Sequence, residues 1–104
     1  MQLNNEVVFI SGANRGLGLA FAREALARGA KKVYAGARKP ESVALAGVIP
    51  VKLDVTDETD IAAAARQCQD VTVLINNAGI AETGGFLSEG AEAMLLRQLE
   101  VNVL

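Results

Sequence analysis

Three glycines stand where backbone chemistry is possible. They lie in Ser11-Gly12-Ala13-Asn14-Arg15-Gly16-Leu17-Gly18, between an apolar run and a helical pattern. At a strand-to-helix turn, one glycine permits the tight bend and another lets the backbone approach a pyrophosphate. A third lets helix and strand pack closely. The helix N-terminus adds unpaired N–H groups and the positive end of its dipole, which suit a diphosphate. No Lys-Ser or Lys-Thr follows the turn, so the phosphate loop of ATPases and GTPases is excluded. A plain glycine-rich turn is the competing explanation.

Dinucleotide folds place an acid about 20 residues further on, where it binds the ribose 2′-hydroxyl. Here that neighbourhood reads Gly36-Ala37-Arg38, with no acid. An arginine there can take a 2′-phosphate through charge-assisted hydrogen bonds, and Arg15 in the glycine turn could reach the same group. The expectation is NADP(H) in preference to NAD(H), with NAD(H) still possible. Charged hydrogen bonds of ~1.5–3 kcal/mol give a preference on the order of tenfold to a hundredfold. Two solvated surface arginines are the alternative.

The elements that must position these groups alternate. Glu6–Ser11, Lys32–Gly36, Val48–Leu53 and Val71–Ile75 are short apolar runs with β-branched residues and read as buried strands. Pro50 weakens the third, because proline removes a ladder donor and prefers an edge. Leu17, Phe21 and Ala25 mark a first helix, with Gly29 as its C-terminal stop. Pro40–Leu45 is a short helical candidate. Asp57–Gln67 is alanine-rich with acids at its start. Glu89–Leu104 carries Met94, Leu95, Leu99 and Val101 on one amphipathic face. Strands alternating with helices predict a parallel sheet covered on both faces. Ala81–Leu87 reads as a loop.

Composition narrows the function further. The chain has 104 residues, 51% hydrophobic, with a formal net charge of −2. That mild acidity argues against a nucleic-acid partner, and no apolar run approaches the roughly 20 residues of a membrane span. No basic leader precedes the first strand, so a cytoplasmic location is expected. Cys68 is the one cysteine and histidine is absent, which excludes an internal disulfide, a Cys/His zinc site and a Ser-His-Asp triad. No metal site is expected.

Three motifs together give the chain a resemblance to the short-chain dehydrogenase/reductase family in its compact form. Ser11–Gly18 is similar to that family's T-G-x-x-x-G-x-G turn, with Ser for Thr. Leu53-Asp54-Val55-Thr56-Asp57 resembles its acidic motif after the third strand, and Asn76-Asn77-Ala78-Gly79 its N-N-A-G motif after the fourth. The resemblance covers essentially the whole chain. It implies a Rossmann-like, doubly wound parallel α/β sheet, here the first four βα units in strand order 3-2-1-4. Residues 1–104 would be an NAD(P)-binding domain incomplete at its C-terminus. Gly12, Asn14, Arg15, Gly16, Leu17 and Gly18 would line the phosphate and ribose site. Asp54 would accept from the adenine amino group, with Val55 against the ring. Asn77, Ala78 and Gly79 would border the adenosine ribose and support the central strands. Asp54 could instead be a helix-initiating acid, and Asn76 and Asn77 a simple turn.

The family's catalytic group is an Asn-Ser-Tyr-Lys tetrad. By resemblance Asn102 matches its asparagine, on the inward stripe of the fourth helix; an ordinary C-terminal cap is the alternative. The serine and the Y-x-x-x-K pair have no counterpart. The one tyrosine, Tyr34, lies in the second strand, with Arg38 four residues later. Without a tyrosine to exchange a proton with the substrate, the 104 residues alone are expected to be inactive. Cys68 reads as a small buried residue rather than a nucleophile.

The leading expectation is thus part of an NADP(H)-dependent oxidoreductase that interconverts a small-molecule carbonyl and alcohol by hydride transfer. Its parent would be a homodimer or homotetramer. The alternative is a non-catalytic NAD(P)-binding module or sensor. A sugar-nucleotide epimerase or methyltransferase is disfavoured by the N-N-A-G motif. In the order 3-2-1-4 the fourth strand is left as an open edge, and the isolated chain is expected to self-associate through it.

Overall fold

A computed structural model describes residues 2–77 and 102–103. Strand β1 (Val7–Ser11) leads into helix α1 (Gly16–Ala27), followed by β2 (Lys32–Ala37), β3 (Ile49–Lys52), helix α2 (Glu58–Gln67), β4 (Val73–Asn76) and β5 (Asn102–Val103). The strands pair in the order β3-β2-β1-β4-β5, all parallel. The doubly wound α/β sheet and its 3-2-1-4 order are as expected.

Val7–Ile10 of β1 are all apolar because both faces of the strand are covered. Val7 and Phe9 join one buried cluster with Tyr34, Val51, Leu74 and, from α2, Ile61, Ala64 and Ala65. Val8 and Ile10 join a second with Val33, Ala35, Val73 and, from α1, Ala22 and Ala25. The two helices therefore cover opposite faces. Phe9, Ile10, Ile61 and Leu74 are among the largest fully buried side chains. Each contributes about 1.5–3 kcal/mol through burial. Phe9 also explains a glycine in β2: a Cβ at Gly36 would lie 2.9 Å from its ring.

Local chemistry closes both helices. Gly29 (φ +83°) ends α1, with its N–H donating to Leu26 O and that of Ala30 to Ala25 O. This is the paired bonding of a Schellman cap, which a left-handed glycine permits. Asp57 caps α2 by accepting from the Thr59 and Asp60 amides at 2.8 and 3.3 Å.

Pro50 sits in β3, the outer strand, where a missing donor is tolerated, in line with its expected edge preference. Two expectations change. Pro40–Leu45 holds only a three-residue 3-10 turn, Pro40–Ser42. The second change concerns Asn102. Its expected helix is not what residues 102 and 103 form: they pair with Val73 and Leu74 of β4. Strand edges need hydrogen-bond partners, and this pairing supplies them along half of β4. The open β4 edge predicted above is therefore partly covered. Residues 78–101, including the expected Ala81–Leu87 loop, lie outside the described residues.

Candidate functional site

The carboxyl ends of β1, β2, β3 and β4 gather the expected site residues on one side of the sheet. Register brings Ser11 level with Gly36 on one flank and Asn76 on the other. After Ser11 the chain bends through Gly12 (φ +64°), and the Ala13 amide donates to Gly36 O at 3.0 Å. Arg15 is the extended N-cap of α1, and its side chain makes no cap bond. Gly16 (φ +58°) opens the helix, and no acid occupies the first turn. Leu17 is 53% exposed, and Arg15 is exposed as well. Uncapped N–H groups beside exposed Arg15 make an anion-accepting end.

Gly18 is the tightest point. A Cβ there would sit 2.0 Å from Gly12 O and 2.6 Å from Asn77 Nδ2. Asn77, only 5% exposed, donates from Nδ2 to Gly12 O at 3.1 Å. Its Oδ1 is buried with no hydrogen-bond partner. The Ser11 hydroxyl donates to Asn76 Oδ1 at 3.0 Å. Both asparagines thus fasten the end of β4 to the glycine turn, across 65 residues of sequence. The simple-turn alternative for this pair does not describe them.

Asp54 lies just beyond β3. Its Oδ1 accepts from the Thr56 amide at 2.9 Å and from the Thr56 hydroxyl at 2.6 Å. Those two bonds hold its carboxyl below the usual carboxylate range, with a smaller contribution from the positive charge of Arg38. Arg38 itself is exposed at the end of β2. Asp54 is not the cap of α2; Asp57 fills that role, which removes the helix-initiating alternative for Asp54. Val55 packs half-buried against the α2-side cluster.

Not every expected residue arrives here. Ala78 and Gly79 lie outside the described residues. Asn102 is level with Val73, at the amino end of β4, and so away from the carboxyl-end site. The helical placement expected for a catalytic Asn102 is not found. Tyr34 also faces away from the site. Its hydroxyl donates to Asp70 Oδ1 at 2.8 Å, and Lys32 Nζ contacts Asp70 Oδ2 at 2.5 Å. Lys32 holds Asp70 below its ordinary range, while burial pushes the Tyr34 hydroxyl up.

The family profile described as short chain dehydrogenase matches residues 6–104. The chain belongs to the short-chain dehydrogenase family. It is 36% identical to the short chain dehydrogenase tazN of Aspergillus terreus, over 99% of this chain and 26% of that protein. It is 43% identical to galactitol 2-dehydrogenase of Agrobacterium fabrum, over 77% of this chain and 35% of that protein. A Burkholderia cenocepacia short chain dehydrogenase solved with NADP superposes with a TM-score of 0.76 at 32% identity, covering 99% of this chain and 53% of that one. The NADPH-bound carbonyl reductase from chicken fatty liver gives 0.77 at 26% identity, covering 94% and 51%. The chain spans about a quarter to a third of these curated relatives' length. The family consists of oxidoreductases that bind NAD(P) and act on small molecules.

Two features of the site were not predicted. One is the pinning of the glycine turn by Asn77. The other is a bond from the Asp54 amide to Asp60 in α2, at 3.0 Å. Asp60 reads in sequence as one more acid in a helix's first turn, so its burial was the missing signal. Among the described residues no helix is long and apolar enough to cross a membrane.

Proposed function

We propose that residues 1–104 are the dinucleotide-binding part of an NADP(H)-dependent oxidoreductase that interconverts a carbonyl and an alcohol on a small molecule. The observation that carries the cofactor preference is Ala37-Arg38 at the end of β2, where an NAD-binding fold would place an acid. The crowding at Gly18 and the uncapped start of α1 fit a diphosphate held against backbone. In this reading Gly12, Asn14, Gly16, Leu17 and Gly18 hold the diphosphate and its ribose. Arg38 and Arg15 take the 2′-phosphate, and Asp54 and Val55 take the adenine. Asn77 keeps the turn in shape, and Ala78 and Gly79 follow it by resemblance. The cofactor, when bound, supplies or accepts the hydride.

The residues that would move the substrate's proton are a separate matter. The one tyrosine is committed to Asp70 and Lys32 at the far end of the sheet. The 104 residues are therefore proposed to bind cofactor without turnover, within a homo-oligomeric parent. Fluorescence titration of the chain with NADPH and NADH tests this. NADPH should bind about 10- to 100-fold more tightly, and Arg38→Ala should remove most of that difference while leaving NADH affinity alone. Equal affinity of the unmodified chain for both cofactors would sink the proposed preference.

A further inference from the structure

Asp60 is an unusual acid for its position. Asp57 and Glu58 already supply negative charge at the start of α2, and both are exposed. Asp60 is 9% exposed and bonds outside its helix. Its Oδ2 accepts from the Asp54 amide at 3.0 Å, and its Oδ1 faces Lys52 Nζ at 3.1 Å. Burying a carboxylate is costly unless it is both paired and hydrogen-bonded. Lys52, at the end of β3, supplies the charge, and the Asp54 amide supplies the bond.

The result is that Asp54 is fixed from three directions. Asp60 holds its N–H, the Asp57 amide donates to its carbonyl at 2.9 Å, and Thr56 holds one carboxylate oxygen. Of these partners, Asp60 is the one on the buried face of a helix, beside Ile61 of the α2-side core. With Oδ1 engaged by Thr56, Oδ2 is the oxygen Asp54 can offer to a ligand.

We infer that Asp60 is a positioning residue that sets the Asp54 carboxylate for recognition of the adenine amino group. This rests on the proposal that Asp54 faces adenine. The energetic logic is one of pre-organisation: an acceptor already held in place loses little freedom when its ligand arrives. The charge of Asp60 is neutralised by Lys52, so its contribution to Asp54 is the hydrogen bond.

The test compares binding of NADPH with binding of its hypoxanthine counterpart, in which an oxygen replaces the adenine amino group. The full chain should prefer the amino form by about tenfold or more, as a charged hydrogen bond dictates. Asp60→Ala should reduce that preference to within about twofold without changing the NADPH-to-NADH ratio, which reports the 2′-phosphate. Asp60→Asn keeps an acceptor for the Asp54 amide and should restore the preference. Asp60→Glu keeps the charge but displaces the acceptor, and should lose the preference as Ala does; it carries the test if Asp60→Ala lacks a cooperative melt. Equal weakening of both nucleotides by Asp60→Ala, or a wild-type preference in Asp60→Glu, would overturn the inference. Asp54→Ala separates the two levels. If it abolishes the preference while Asp60→Ala and Asp60→Glu do not, only the role of Asp60 fails. If it has no effect, the adenine reading of Asp54 fails first.

Discussion

Gly18→Ala should damage this protein although the same change usually strengthens a helix. In an exposed helix interior, replacing Gly by Ala gains about 0.8–1.0 kcal/mol. At Gly18 the added Cβ would meet Gly12 O at 2.0 Å, Gly12 C at 2.7 Å and Asn77 Nδ2 at 2.6 Å. Two of those three atoms are backbone of the turn, so no rotamer change relieves them. Restoring ordinary contact means moving α1 off the turn by more than an ångström. Overpacking of this kind costs about 1–3 kcal/mol, and more where backbone must move. We expect a net loss of about 2 kcal/mol, or a fall in Tm of about 8 °C or more for a domain of this size. NADPH affinity should fall with it, because the displaced turn is the proposed diphosphate site. Gly16→Ala is the control. Its Cβ would meet nothing within 4 Å, but its φ of +58° is left-handed. That costs about 1–2 kcal/mol by strain alone. Adding Asn77→Ala to Gly18→Ala should give little relief, since the Gly12 contacts remain. Thermal melts and NADPH titrations of the variants decide the matter. A Gly18→Ala chain as stable as the unmodified one, or one harmed less than Gly16→Ala, would refute the packing argument.

Two further outcomes follow from the same structure. Burial pushes the Cys68 thiol up to about 12, so the folded chain should resist a disulfide reagent at pH 8 and react at once when unfolded. The sign for stability is set by the unfolded thiol, which ionises near 8.5. The folded form is favoured fully below that pH and progressively less as pH rises toward 12. Alkaline melts of Cys68→Ala should show less of this decline, and an identical decline would refute the assignment. Asp57→Ala removes two bonds to the first turn of α2 and should cost about 1 kcal/mol, with Asp57→Ser retaining most of it; urea melts that show no difference between Ala and Ser would refute the cap.

Much of the fold was legible because it is written locally. Runs such as Glu6–Ser11 announce strands covered on both faces, and Asp57 and Gly29 announce helix ends through capping chemistry that needs only near neighbours. The glycine turn is legible for the same reason. What escaped notice depends on how the elements pack against one another. Asn77 reads as turn chemistry until β4 is laid beside β1, which brings its amide to Gly12 O. Asp60 reads as a dipole-matching acid until α2 is folded against the end of β3. Asn102 follows a helical spacing in sequence, but residues 102 and 103 answer the hydrogen-bonding demand of β4 instead. Local pattern carries no information about such a demand.

The central strand also sets a timetable. β1 takes β2 on one side after a short crossover, but its other neighbour β4 arrives 65 residues later, as the Ser11–Asn76 bond measures. At about 5–20 residues per second of synthesis, that interval lasts about 3–13 s. During it the growing chain can assemble β1, α1, β2 and β3 while one flank of β1 waits unpaired, and the Gly12 carbonyl lacks its asparagine. Within these residues the glycine turn is made before β4 and locked only once β4 arrives. On the ribosome, then, the exposed flank of β1 is the place where a chaperone or a second nascent chain would find this protein vulnerable.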